Sequence, residues 1–153
     1  MCGPSGAGKS TWVKQQIANA KNCIHISRDE VRFSIVKDDE DYFSHEDEVF
    51  DEFIRQINEG LQNCDTVFAD ATHMSEKARN KTLDRLNLDG VDLYAVDFNI
   101  PVEICLDQNE KRRGVGRTYV PRSVIRRMAA QYQPPTDTEK YHYHILHACV
   151  KEG

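Results

Sequence analysis

The sequence lacks any apolar run of about eighteen residues and shows no signal-peptide pattern at its start. Its five cysteines, at positions 2, 23, 64, 105 and 149, are odd in number and form no C-x-x-C pair. A secreted disulfide framework needs paired cysteines, so we expect reduced thiols in a cytoplasmic protein that does not span a membrane. Internal repeats and low-complexity segments are absent too. At 153 residues and 39% hydrophobic content, we predict a single domain, 1–153, with a genuine core.

The sequence also lacks an excess of positive charge. Its net charge of −5 argues against broad electrostatic binding of nucleic acid. The charges are segregated, however, because residues 38–52 carry a dense run of acids, whereas residues 109–127 carry bases. The basic residues of that second segment are Lys111, Arg112, Arg113, Arg117, Arg122, Arg126 and Arg127, against the single acid Glu110. A local basic surface is therefore expected despite the overall sign.

A glycine-rich segment opens the chain, and Gly3 to Ser10 match the pattern G-x-x-x-x-G-K-[ST] in full. The glycines let successive backbone N–H groups point at phosphate oxygens. Lys9 would reach the β- and γ-phosphates, and the Ser10 hydroxyl would be a ligand of Mg²⁺. A plain glycine turn would not explain why Lys and Ser follow directly. We predict a nucleoside triphosphate site (a P-loop) whose contacts are Gly3, Ser5, Gly6, Ala7, Gly8, Lys9, Ser10 and Thr11.

Only Met1 and Cys2 precede this loop, although a P-loop should follow a buried strand. Either the central strand lies upstream of Met1 or the fold has lost it. An α/β sheet without its middle strand is hard to stabilise, so we expect a truncated or renumbered N-terminus.

Strand and helix patterns alternate along the rest of the chain. We predict strands at 23–27, 66–70, 93–98 and 143–150. The predicted helices are 9–20, 30–36, 45–62 with Ser44 as its cap, 75–86, 101–112 and one that begins at 121. This alternation predicts a parallel three-layer α/β/α sheet, in which ligands lie at the carboxyl ends of the strands.

Two carboxylates occupy such strand ends. Asp29 and Arg32 are three residues apart and would share a helix face; Asp29 could cap that helix, act as a base for an acceptor hydroxyl, or do both. Asp70 could be a turn former or, beside a P-loop, a carboxylate associated with Mg²⁺.

Gly114 and Gly116 follow the basic helix end, so the segment could form a lid over phosphates or simply be a solvated helix terminus. A zinc site built from His142, His144 and His147 is disfavoured, because no further ligand completes the set.

Together these motifs resemble the P-loop polynucleotide 5′-hydroxyl kinase family, which includes the kinase domains of phage polynucleotide kinase and of bacterial end-healing enzymes. The resembling segments are residues 3–12, 27–35 and 70–74, Asn109–Arg112 with Val120-Pro121, and Gln133–Thr136 with Glu139. The resemblance implies a P-loop NTPase fold of adenylate-kinase-like type with a basic lid. It also implies transfer of the γ-phosphate of ATP, with Mg²⁺, to the 5′-OH end of DNA or RNA.

The resemblance also implies residue roles. Lys9, Asp29 and Arg112 would be catalytic, with Asp29 the general base and Arg112 the lid contact to ATP. The acceptor would be bound by Asp29, Arg32, Asp70, Thr72 and His73. Magnesium would be held by Ser10 and, through water, by Asp70.

Two positions depart from the family pattern. Gln108 stands where the first lid arginine is usual, so a second phosphate contact must come from Arg113 or Arg117. His73 replaces the usual Asn of the acceptor pocket. The alternative function is a P-loop kinase for a small-molecule hydroxyl. A nucleotide-dependent switch or motor is disfavoured, since the guanine motif and the ABC signature are absent. Oligomeric state, and the choice between DNA and RNA, are left open by the sequence.

Overall fold

The computed structural model describes residues 1–116 and 119–149. Its helices and strands alternate in the order α1 (Lys9–Ile17), β1 (Cys23–Ser27), α2 (Arg28–Ile35), α3 (Glu46–Asn63), β2 (Thr66–Asp70), α4 (Glu76–Leu83), β3 (Tyr94–Asp97), α5 (Val102–Glu110), α6 (Arg122–Gln131) and β4 (His144–His147). The predicted α/β architecture with parallel strands is confirmed. No helix in the described ranges is long and apolar enough to cross a bilayer.

The sheet consists of two parallel strand pairs joined by the first residues of the chain. β1 pairs with β2 from Cys23↔Thr66 to Ser27↔Asp70, and β3 pairs with β4. Cys2 forms a parallel bridge to Asp97, with its N–H 2.9 Å from the carbonyl oxygen of Val96. On the other side, the terminal amine of Met1 donates to the carbonyl of Ala69 at 3.0 Å. Residues 1–3 therefore occupy the central position of the sheet, from which the P-loop departs.

Two hydrophobic clusters flank this central position of the sheet. One is built on the apolar face of α3, where Val49, Phe53 and Ile57 pack against β1 and α2. The other surrounds β3, α5 and α6 and includes Leu106 and Ile125. Each fully buried side chain of this size contributes about 1.5–3 kcal/mol of transfer free energy. The buried residues of α3 recur with the period of a single helix face.

Trp12 of α1 contacts both halves of the sheet. Its ring makes edge-on contacts with Phe68 of β2 and Phe98 after β3, with ring centroids 6.1 and 5.9 Å apart. Such aromatic pairs add about 0.5–1.5 kcal/mol beyond the area they bury. The helix that follows the P-loop is thus anchored to both halves of the sheet.

The predicted boundaries of β1 and β2 and the start of α1 at Lys9 are confirmed, whereas the starts of the later helices differ. The prediction of Ser44 as the cap of α3 is wrong, because the Ser44 hydroxyl donates to the carbonyl of Asp41 and the helix begins after His45 without a side-chain cap. α2 begins at Arg28 rather than residue 30, since the Ser27 hydroxyl accepts from the N–H of Glu30 and caps it. The predicted last strand shortens to β4, and Val150 lies outside the described residues.

A buried ion pair fixes the segment after α6. Arg79 of α4 donates from Nε and Nη2 to the two carboxylate oxygens of Glu139, both at 2.8 Å. Its Nη1 donates to the carbonyls of His73 and Gln133, at 2.9 and 2.8 Å. Both charges are buried with several hydrogen bonds, so loss of one partner would leave a costly unpaired charge. This network holds the region around residues 133–139 against the end of β2.

Candidate active site

The P-loop has the tight backbone that the glycine spacing predicts. Gly6 and Gly8 have φ values of +83° and +91°, a region that residues with a Cβ rarely adopt. A Cβ at Gly6 would also collide with the carbonyl oxygen of Cys105 in α5. Gly8 is the N-cap of α1 and no side chain caps this described helix, so its first N–H groups are available to a phosphate.

Lys9 lies beneath the loop and is only 8% exposed. Its ammonium donates to the carbonyl oxygens of Gly3 and Pro4, at 2.8 and 2.7 Å. Burial lowers the pKa of Lys9, while the nearby charges of Asp70 and Asp29 oppose that shift. Within the described part of the chain, the ammonium is therefore bound by two carbonyl oxygens of the loop, which a phosphate can replace.

Ser10 and Asp70 meet at the carboxyl end of β2, where a magnesium site is expected. The Ser10 hydroxyl donates to Asp70 Oδ2 at 2.7 Å, which leaves the Ser10 lone pairs free for a cation. Burial alone would raise the pKa of Asp70, but hydrogen bonds from His25 and Ser10 and the charge of Lys9 bring it below its ordinary value. An ionised carboxylate beside a hydroxyl is the oxygen donor set that Mg²⁺ prefers, so these residues fit the ion.

His25 is a member of this group that sequence analysis missed. Its Nε2 lies 2.8 Å from the same Asp70 oxygen, and its side chain is 13% exposed. His25 lies in the middle of the strand Cys23–Ser27, so the sequence pattern alone would assign it to the core. The register of β1 against β2 could have suggested the contact, since His25 and Asp70 lie on one face in diagonal positions.

Asp29 and Arg32 lie together at the beginning of α2. The Asp29 carboxylate is 55% exposed, and its Oδ1 accepts from Arg32 Nη1 at 3.0 Å. Asp29 does not cap α2, because the capping side chain is that of Ser27. Asp29 also lies near enough to Lys9 to influence its pKa. The carboxylate is thus free of a helix-capping duty and close to the P-loop.

Further residues around this pair were not predicted. Glu46, at the start of α3, receives Arg32 on Oε1 and Arg28 Nη2 on Oε2 at 3.2 Å. The Tyr42 hydroxyl donates to Asp29 Oδ1 at 3.1 Å. Burial, together with the charge of Asp29, raises the pKa of Tyr42 to about 12, so the phenol remains a donor. These contacts reach across the acidic loop and leave no periodic signal in the sequence.

His73 and Thr72 follow Asp70 as predicted, but the ring of His73 is already engaged. Its Nδ1 donates to the carbonyl of Met1 at 2.8 Å, and its Nε2 accepts from the Thr82 hydroxyl at 3.1 Å. The carbonyl of Thr72 accepts from the N–H of Gly3 at 2.9 Å. An acceptor contact from the His73 ring would require one of these bonds to break, so the geometry does not favour that role; it stays a prediction.

Asn109 closes the base of the segment that is predicted to be a basic lid. This buried amide donates to the carbonyl of Val120 at 2.6 Å and accepts from the Val120 N–H at 3.0 Å. Both ends of the connection between α5 and α6 are thereby held together. The family pattern singled out Asn109 and Val120 without indicating this role.

The arginines of the lid differ in how they are paired. Arg113 binds Glu110 and the hydroxyl of Tyr119, and Arg122 also approaches Glu110. For Arg112, by contrast, no acidic partner occurs among the described residues, and its charge is close enough to lower the pKa of Lys9. The structure thus leaves Arg112 free to meet a phosphate. Arg117 lies outside the described residues.

Comparison with known proteins agrees with this architecture. The chain is similar in fold to a structure described as the Pnkp1/Rnl/Hen1 RNA repair complex, with a TM-score of 0.72 and 21% identity over 85% of this chain and 42% of that one. It is also similar to a fungal RNA kinase, with a TM-score of 0.60 and 18% identity over 99% of this chain and 37% of that one. The chain therefore spans less than half the length of either. No curated protein matches it in sequence.

A family profile matches most of the chain. The profile is that of an AAA domain (AAA_33) and it covers residues 1–135, from the start of the P-loop region to the segment after α6. This span contains every site residue described above. With its P-loop and parallel sheet, the chain belongs to this AAA domain family.

Proposed function

We propose that the protein is an ATP-dependent kinase that phosphorylates the 5′-hydroxyl end of a polynucleotide. The observation that carries this proposal is the Asp29–Arg32 pair at the carboxyl end of β1, beside Lys9. A free carboxylate next to a P-loop can accept the proton of an attacking hydroxyl, and an adjacent guanidinium can bind a phosphate of the acceptor. The fold likeness to an RNA repair complex and to an RNA kinase supports the same choice of acceptor.

Asp29 would act as the general base. Its Oδ1 is occupied by Arg32 and Tyr42, whereas Oδ2 has no hydrogen bond within the described part of the chain. The second oxygen is therefore the one to take the proton of the 5′-hydroxyl as that oxygen attacks the γ-phosphorus. ADP leaves on the opposite side, and the phosphoryl group passes to the acceptor oxygen.

Lys9 and Arg112 would stabilise the charge of the transferring group. Lys9 would exchange its bonds to Gly3 and Pro4 for phosphate oxygens, and Arg112 would approach as the lid closes. Ser10 and, through water, Asp70 would hold magnesium, which would supply charge neutralisation for the β- and γ-phosphates. All five cysteines are free thiols, which supports the cytoplasm as the site of action.

The direct test is transfer of ³²P from γ-labelled ATP to 5′-OH DNA and RNA oligonucleotides. We expect label on at least one oligonucleotide, no label on the same oligonucleotide carrying a 5′-phosphate, and no transfer to free sugars. Lys9→Ala should abolish transfer, while Lys14→Ala, an exposed position on α1, should not. Transfer to small hydroxyl compounds with none to oligonucleotides would overturn the proposal in favour of a small-molecule kinase.

A further inference from the structure

His25 makes a contact at the nucleotide site that the proposed mechanism does not use. It lies in the middle of β1, and its ring crosses to β2, where Nε2–H donates to Asp70 Oδ2. The Asp70 carboxylate is buried, and His25 is largely covered as well. A buried carboxylate is costly unless it is hydrogen-bonded, so the choice of donors decides its orientation.

Both donors reach the same oxygen of Asp70. The Ser10 hydroxyl and His25 Nε2 lie 2.7 and 2.8 Å from Oδ2, and no described residue donates to Oδ1. Two bonds from different elements, α1 and β1, therefore restrict rotation of the carboxylate. Without His25, the single bond to Ser10 would leave the carboxylate free to turn about it.

We propose that His25 is a positioning residue of the nucleotide site, which fixes the Asp70 carboxylate against Ser10 and leaves its second oxygen for the hydration shell of magnesium. The inference rests on the ATP and magnesium site described above. Groups that orient the carboxylates of a metal site commonly change its metal affinity about 10- to 100-fold when they are removed. The role belongs to His25 as a hydrogen-bond donor and requires no change of its charge.

The test compares His25→Ala with His25→Gln, whose side-chain amide can donate to the same carboxylate. ATP binding is measured by isothermal titration calorimetry over a series of Mg²⁺ concentrations and in EDTA. We expect His25→Ala to raise the Mg²⁺ concentration for half-maximal tightening of ATP binding about 10-fold, with little change in the affinity measured in EDTA. His25→Gln should recover most of the loss, and His142→Ala, an exposed histidine, should resemble the wild type.

Three results would overturn the inference. One is an unchanged Mg²⁺ dependence in His25→Ala; another is an equal loss of ATP affinity with and without Mg²⁺, which would indicate a general structural defect. The third is a folded His25→Gln protein that is as impaired as His25→Ala. Because the readout is nucleotide binding, it needs no acceptor, and its outcome is independent of whether the protein phosphorylates polynucleotides.

Discussion

Arg32 donates two hydrogen bonds to a single oxygen of Glu46, from Nε at 2.9 Å and from Nη2 at 2.8 Å. The Arg32 side chain is 7% exposed, so this ion pair compensates much of the cost of burying its charge. The pairing turns Nη1 of Arg32 toward Asp29, at 3.0 Å. Glu46 thus sets the orientation of the arginine proposed to bind the acceptor.

The first prediction concerns stability. Glu46→Ala should lower the free energy of unfolding by about 1–3 kcal/mol, because it leaves two arginines without their shared carboxylate and one of them is buried. Urea denaturation of the ligand-free protein measures this. The control is Glu48→Ala, which changes a glutamate two residues further along α3 that is 69% exposed. It should change stability by no more than about 0.5 kcal/mol. Equal effects of the two substitutions would contradict the prediction.

The second prediction concerns the acceptor. Arg32→Ala should raise the KM for acceptors that carry a phosphate 3′ to the first nucleoside, because the charge-assisted contact is lost. A bare nucleoside lacks that phosphate and should be used about as well as by the wild type. Steady-state kinetics with a nucleoside and its 3′-monophosphate give the comparison. An equal loss for both acceptors would speak against the contact.

The third prediction separates the two duties considered for Asp29. Asp29→Asn should lower kcat by a factor of about 10² or more and leave the KM for ATP little changed, since an amide cannot accept the proton. Ser27 caps α2, so the thermal stability of the variant should stay near that of the wild type. Ser27→Ala is the complementary variant and should lose about 1 kcal/mol of stability instead. Full activity of Asp29→Asn would remove it as the base.

The fourth prediction concerns the lid. Arg112→Lys should fail nearly as badly as Arg112→Ala in kcat, because an ammonium cannot form the two parallel bonds of a guanidinium to phosphate. ATP binding should weaken less than turnover, since the contact strengthens as the lid closes. Arg113→Ala is the matched control, because Arg113 is already paired with Glu110 and Tyr119. Normal turnover of Arg112→Ala with a dead Arg113→Ala would assign the role to the neighbour.

The fifth prediction is a pH dependence of stability that originates at His73. Burial lowers its pKa to about 3, so below the ordinary value of 6.5 the unfolded chain takes up a proton that the folded chain does not. Stability should therefore be full above pH 6.5 and fall as the pH decreases toward 3. The loss from His73 between pH 7 and pH 5 is about 2 kcal/mol. Denaturation at both pH values should show a smaller loss for His73→Gln than for the wild type.

The parts of the site that follow a local rule could be predicted from the sequence. The loop from Gly3 to Ser10 could be predicted because its glycines and Lys9 act over a short stretch of the sequence. The strands Cys23–Ser27 and Thr66–Asp70 were bounded correctly, since apolar residues stop where polar ones reach the sheet edge. Asp29 and Arg32 were paired correctly because a three-residue separation brings them onto one face.

Contacts between distant segments could not be predicted in this way. Glu46 lies fourteen residues beyond Arg32, across an acidic loop in which many carboxylates were equal candidates. Ser44 looked like a helix cap, but its hydroxyl found a closer acceptor in the Asp41 carbonyl. The contact of His25 with Asp70 depends on the register of β1 against β2, and the contact of Arg79 with Glu139 depends on the path of the chain after α6. Neither contact produces a periodic pattern in the sequence.

Gly6 touches the carbonyl of Cys105 so closely that no side chain fits between the P-loop and α5. This close packing therefore ties the position of the P-loop to that of α5. The connection between α5 and α6, in contrast, is held at its base by the two bonds between Asn109 and Val120. Closure over a bound phosphate would therefore come from the proposed lid, against a P-loop that its packing on α5 already holds in place.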